Sequence, residues 1–328
     1  MTTYKTPCSF SKSQVGLVLV CFAFLCPLAA GATVGTSADE PANVVQVQMR
    51  HVNYHFSDTL SVHINSLRGE LVPAGKNEFP ILDDKSSYTI RIIAAEMACP
   101  ADSLGKILNS YVFANRDSPL KDVSTSIDKG RLKIKGKLHD KGDVPFETVG
   151  TLSPAADGKI RIHAEKIKAL HLPVKGLMDT LGIALSAFIK SGKMSGIAAD
   201  GDDLIMDLAE VLPPPHMLGA VRSIRIEGQN IIEVIGDPTK TQLKRVAATN
   251  YMAYWGNQLG FGKLIMTDTD LTLIDMNPDD PFDFDLDHYK DQLVPGYARI
   301  TANFGLRVFL KDFNKVQRTP PASKEAKH

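Results

Sequence analysis

Residues 172–190 read LPVKGLMDTLGIALSAFIK, and the fold expected of the whole chain turns on them. Val174, Leu177, Met178, Leu181, Ala184, Leu185, Phe188 and Ile189 recur at the i, i+3, i+4, i+7 spacing of one helix face. Pro173 falls in the first turn, where its missing N–H is no loss, and Gly192 stands where a helix stop belongs. Ile183 and Ala187 widen the apolar surface, so such a helix must bury most of its circumference. Alternating, strand-like segments lie on both sides of it. The expected fold class is therefore α+β and mostly β, a curved antiparallel sheet wrapped around an apolar helix, with additional strands C-terminal. That helix either fills the core or leaves a groove for an apolar guest. Val174, Leu177, Met178, Leu181, Leu185 and Phe188 are the candidate lining of the groove.

Charge and cysteine content narrow the classes. The 37 Lys and Arg residues balance the 37 Asp and Glu residues, so the basic field that favours nucleic acid is missing. Near the N-terminus, Lys5 and Lys12 precede VGLVLVCFAFLCPLAAGA, which ends in the small-x-small pattern Ala30-Gly31-Ala32. That is the build of an export signal over residues 1–32, and it predicts a periplasmic or extracellular protein. The rival reading is an uncleaved membrane anchor, because the apolar run approaches bilayer length. Cys8, Cys21 and Cys26 all lie in this leader, which leaves Cys99 without an intramolecular partner. Cys99 reads as a small hydrophobe rather than a nucleophile.

Beyond the leader, residues 33–43 read as a linker, 44–236 as the main domain and 237–249 as a connector. Residues 250–313 read as a C-terminal β-rich segment packing on the main domain, and 314–328 as a disordered tail. Long alternating strands are expected over 44–56, 59–72 and 88–97, with a helix at Leu104–Val112 spacing. Residues 191–203 read as a glycine-rich loop, 204–212 as a short helix, and 277–287 (NPDDPFDFDLD) as an acidic loop. In RLKIKGKLH, apolar Leu132, Ile134 and Leu138 alternate with Arg131, Lys133, Lys135 and Lys137. Those four cations are the candidates for lipid-headgroup or peripheral membrane contact.

Residues 120–236 hold, in order, LKDVSTSIDKGRLKIKG, VPFETVGTLSPAADGKIRIHAEKI, LPVKGLMDTLG and LAEVLPPPHMLGAVRSIRIEGQNIIEVIG. This succession of hairpin, strand pair, apolar helix, proline stop and final hairpin resembles the LmeA-like phospholipid-binding domains, relatives of the tubular lipid-binding superfamily. Taken with the strands before it, the likeness spans residues 44–236. It implies an exported protein with a curved sheet around a helix, an apolar groove for acyl chains and no fixed catalytic set. Residues after 250 lie outside it.

Other chemistry is thinly represented. Asp275, Asn277 and Asp279 have the spacing that opens a calcium loop, but Asp280 stands where glycine belongs and Leu286 where glutamate does. No metal or other cofactor is expected. There is no Gly-x-Ser-x-Gly elbow and no His-Glu-x-x-His, and the histidines are scattered; His51, His55 and His63 fall on adjacent strand segments. Tyr251, Tyr254, Trp255 and Phe261 form an aromatic cluster that closes a core end or faces a partner. The expectation is a non-enzymatic exported envelope protein that binds or carries a lipid or other apolar small molecule. The alternative is a structural or scaffolding envelope protein with a filled core and a partner-binding surface. A hydrolase without a known motif ranks third.

Overall fold

The structure is a computed structural model and describes residues 43–139, 143–169, 196–201, 203–239 and 242–316. Three long strands come first, β1 (Val45–Ser57), β2 (Leu60–Pro73) and β3 (Tyr88–Pro100). Helix α1 (Ala101–Ile107) runs on into a π-turn at Leu108–Val112. A meander follows: β4 (Leu120–Asp128), β5 (Arg131–His139), β6 (Asp143–Pro154) and β7 (Ile160–Ala169). Next come β8 (Ile197–Asp200), β9 (Asp203–Met206), the single-turn helix α2 (Leu208–Val211) and β10 (His216–Leu218). The hairpin β11 (Val221–Glu227) and β12 (Asn230–Ile235) ends this half. The rest is β13 (Tyr251–Gly256), β14 (Leu259–Phe261), β15 (Leu264–Met266), β16 (Thr269–Asp275) and β17 (Phe282–Asp285). Helix α3 (Tyr289–Leu293), β18 (Tyr297–Ile300), β19 (Leu306–Leu310) and a 3-10 turn at Phe313–Lys315 complete it.

The protein is mostly β, built on open curved sheets. The larger sheet runs β11-β12-β3-β2-β1-β13-β16-β19-β18, with β10 added to β3 and β17 to β1. The smaller runs β4-β5-β6-β7-β9-β8, and β14 pairs β15 in a separate hairpin. Period-2 patterning explains the long strands: Val45, Val47 and Met49 on β1, and Leu60, Val62 and Ile64 then Leu67 and Leu71 on β2, are sealed in the core, the inward parity of β2 changing at the irregularity between Ile64 and Ser66. Most pairs are antiparallel, as expected, but β1–β17, β3–β10 and β16–β19 are parallel. Segments that return from far along the chain enter these sheets in either direction, and local alternation carries no information about that.

Two stretches differ from their sequence reading. The expected loop and helix over 197–206 form the β8–β9 hairpin, in which Ile197 pairs Met206 around Gly201. Gly201 takes φ +57°, a left-handed value that suits glycine, and Ile197 and Met206 are both buried. The helix begins only at Leu208, where Asp207 Oδ1 accepts a hydrogen bond from Ala209 N at 3.0 Å. The acidic loop contains β17, whose Phe282 and Phe284 are core residues. Asp283 between them and Asp285 after them are also buried, and their carboxylates serve backbone donors. Asp285 accepts from Asp287 N and His288 N at 2.9 and 3.0 Å, and Asp283 accepts from Asn314 N at 3.0 Å.

The C-terminal strands join the sheet of the N-terminal ones. β1 gives its first half to β13 and its second half to β17. Gln48, buried on β1, accepts from Lys244 N and donates to Lys244 O at 2.8 and 3.0 Å, which ties down the strand-free segment before β13. Trp255 is flanked by Arg68 and Lys244, at 4.6 and 5.0 Å from its ring. Tyr251 and Tyr254 of the aromatic cluster are buried, and Phe261 packs on Tyr289 with ring centroids 4.7 Å apart. Among the described residues, no helix is long and apolar enough to cross a membrane.

Candidate functional site

The wall of the candidate site comes from both sheets. On β12 the alternation turns Ile231, Glu233 and Ile235 to one face, and the register with β3 sets Cys99 opposite Ile231 and Met97 opposite Glu233. The smaller sheet faces them with Leu152, Ile160 and Met206. Leu104 and Ile107 from α1, and Leu208 and Leu212 beside α2, complete the enclosure. Asp207 starts α2 and Pro213 follows its end, so this short element carries Leu208 and Leu212 to the seam. Between these side chains lies a cavity of about 50 Å³, dry except for Glu233.

A second space adjoins it. A recess of about 390 Å³ is lined by Arg91, Asp157, Lys159 and Asp207 together with apolar groups. Ile92, Leu208 and Gly219 belong to the walls of both spaces. The recess charges are matched: Arg91 pairs Glu70 at 2.5 Å, and Lys159 lies 3.1 Å from Asp157 and 3.7 Å from Asp207. The arrangement is an apolar chamber beside a charged recess, with Ile92, Leu208 and Gly219 between them.

Glu233 is the chemically unusual group. It is half-buried, and among the described residues no hydrogen bond or ion pair reaches its carboxyl. Burial alone pushes that carboxyl up from 4.5 to about 7. Cys99, on the same wall, has its thiol pushed up to about 12, chiefly by burial and then by the charges of Glu233 and Asp102. Such a thiol is a poor nucleophile at neutral pH. The sequence marks residues 220–236 as a hairpin, and that reading does not single out Glu233. The available signal is an acid at an inward position between two isoleucines.

The proposed groove lining, Val174, Leu177, Met178, Leu181, Leu185 and Phe188, lies outside the described residues, as does the helix that carries it. The four candidate headgroup cations are described, and each meets an acid. Arg131 pairs Glu165 at 2.6 Å, Lys133 and Lys135 pair Glu147 at 2.9 and 3.7 Å, and Lys137 pairs Asp122 at 2.6 Å. Sheet order supplies these counter-ions, since β5 lies between β4 and β6, and β7, which carries Glu165, is the next strand beyond β6.

The other candidates are spoken for by the fold. His51 and His63 lie 6.5 Å apart by ring centroid, but His63 Nδ1 bonds Asn53 Oδ1 and His55 turns to Asp283 at 2.7 Å. Asp275, Asp280 and Asp312 bring carboxylate oxygens within 4.8 Å of one another, as metal ligands would. Lys315 fills the role of a cation there, 2.8 Å from Asp280 and 2.9 Å from Asp312. Asp275 is pushed up to about 6, by burial first. Its neighbour Asn277 donates its N–H back to Asp275 at 2.8 Å, a local turn rather than an open ligand loop.

No protein-family model matches the chain, and no solved structure matches it.

Proposed function

We propose that this chain is a non-enzymatic exported envelope protein that binds or carries a lipid-like or other apolar molecule, held at the seam between its two sheets. The observation that carries the reading is the dry cavity beside the polar recess, with Ile92, Leu208 and Gly219 in both walls. A guest gains about 25 cal/mol for each Å² of apolar surface it removes from water there. The cavity alone, about 50 Å³, is too small for an acyl chain. Rotation of Leu208 and Ile92 would join it to the recess, whose volume of about 390 Å³ already lies in the range of about 300–1,000 Å³ used by small-molecule sites. The likeness of residues 120–236 to lipid-binding domains points the same way, and the export signal would set such a protein in the envelope.

The test is organic extraction of the purified protein followed by mass spectrometry, with uptake of a fluorescent apolar probe measured in parallel. Met97→Phe, which fills part of the cavity with a ring, should reduce uptake while raising the stability of the unloaded protein. An empty extract together with no uptake by the parent protein would remove the carrier reading.

The scaffold reading has its own observation. Strand β18 is the last strand of the larger sheet, and near it Val294, Ile300 and Phe304 are 85%, 74% and 91% exposed. An open edge with bare apolar side chains is the form of surface that a partner strand covers.

A further inference from the structure

A carboxyl that no described residue pairs, set in an otherwise apolar wall, adds nothing to the packing there. Isoleucine at 233 would continue the row set by Ile231 and Ile235 and would pack without a desolvation penalty. Among the described residues, the surroundings offer Glu233 no partner. From β3, Cys99 is the only other titratable group on the wall among the described residues. From β11, Ile224 stands opposite Glu233. Arg225 and Glu96 point to the far side of the sheet, where Arg225 lies 3.3 Å from Glu96 and 2.6 Å from Glu227. From α1, Asp102 and Lys106 neutralise each other at 2.8 Å. The smaller sheet contributes Leu152, Ile160 and Met206, all apolar.

Given a seam that takes an apolar guest, as proposed above, we infer that the guest carries an amine at its buried end, with Glu233 as the counter-charge and the surrounding apolar wall holding its hydrocarbon body. A protonated amine supplies both what the carboxylate lacks, a hydrogen-bond donor and an opposite charge, in a medium where such a pair is strongly coupled. Above about pH 7, where Glu233 is ionised, a fatty carboxylate would instead set two like charges side by side and is rejected. An alcohol satisfies the hydrogen bond but leaves the charge unpaired, so it binds between the two. The hydrocarbon body passes Leu208 and Ile92 into the recess, where the matched charges tolerate either a polar or an apolar far end.

The experiment is isothermal titration of the full protein with n-alkylamines, n-alkanols and n-alkanoates of four to twelve carbons, at several pH values from 5 to 8. The amine should bind most tightly at pH 8. Its affinity should fall close to tenfold for each pH unit below about 7, as Glu233 takes up its proton. Alkanol binding should change far less. In Glu233→Gln the amine should lose both its advantage over the alkanol and its pH dependence, while the alkanol still binds. Equal affinity for all three head groups, or an amine affinity unmoved by pH in the unaltered protein, would overturn the amine assignment and leave the seam as a ligand site. Failure of every chain to bind would overturn the ligand site itself.

Discussion

Glu233→Gln isolates the cost of placing a carboxyl in the seam, and that cost depends on pH in a way that can be calculated. The side chain keeps its shape and loses its charge. Burial raises the folded-state value from 4.5 to about 7. A tenfold weakening of an acid is worth about 1.36 kcal/mol, so full ionisation in the folded protein costs about 3 kcal/mol. The sign follows from the direction of the change. Below pH 4.5 the group is neutral in both folded and unfolded chains and carries no penalty. As pH rises towards 7 the unfolded chain ionises freely while the folded one resists, and stability is lost; above about 7 the loss levels off. Glutamine should therefore stabilise the unliganded protein by about 1 kcal/mol at pH 5 and about 3 kcal/mol at pH 8. Urea denaturation followed by tryptophan fluorescence at the two pH values measures the difference. The same gain at both would mean that the carboxyl is solvated in the folded state, and the cavity wall would lose its one charged landmark among the described residues.

Other substitutions test the frame around the site. Gln292 is fully buried and donates to Asp283 O and Lys311 O at 2.9 and 2.8 Å while accepting from Asp285 N at 3.0 Å. Gln292→Ala should cost about 3 kcal/mol in chemical denaturation, about 1 kcal/mol for each bond lost. Gly236 holds φ +62°, and a Cβ there would overlap the Ile93 carbonyl oxygen, so Gly236→Ala should lower stability by about 2 kcal/mol or more and depress the melting temperature. Ile300→Lys combined with Phe304→Ser alters only exposed positions and should leave stability within about 0.5 kcal/mol. If the scaffold reading holds, that pair should also abolish concentration-dependent association in sedimentation velocity.

How much of this was legible depends on where the information sits. The alternation over 45–73 could be read because one face of each strand is sealed and the period is two, save for one change of parity within each strand, near residues 50–51 and 65–66. The hairpin at 197–206 could not, because two four-residue strands rich in alanine and aspartate leave too little pattern. Strand β17 was hidden by its aspartates, whose burial makes sense only once Asn314, Asp287 and His288 are seen donating to them. The cations of β5 showed plainly in sequence, but their acids sit on β4, β6 and β7 and are assigned only by register. Glu233 was visible as a break in a pattern, yet its isolation is a property of the space around it.

The shared loyalty of β1 has a consequence for how the chain matures. Val45–Arg50 pair with residues 251–256, and Val52–His55 pair with residues 282–285. A nascent chain emerges from the ribosome with its first strand already made and the partners for one whole edge still some two hundred residues from synthesis. Until they arrive, that edge offers open N–H and C=O groups to any passing strand, which places this protein among the slow, aggregation-exposed folders of high contact order. A fragment that stops before Tyr251 inherits that bare edge permanently.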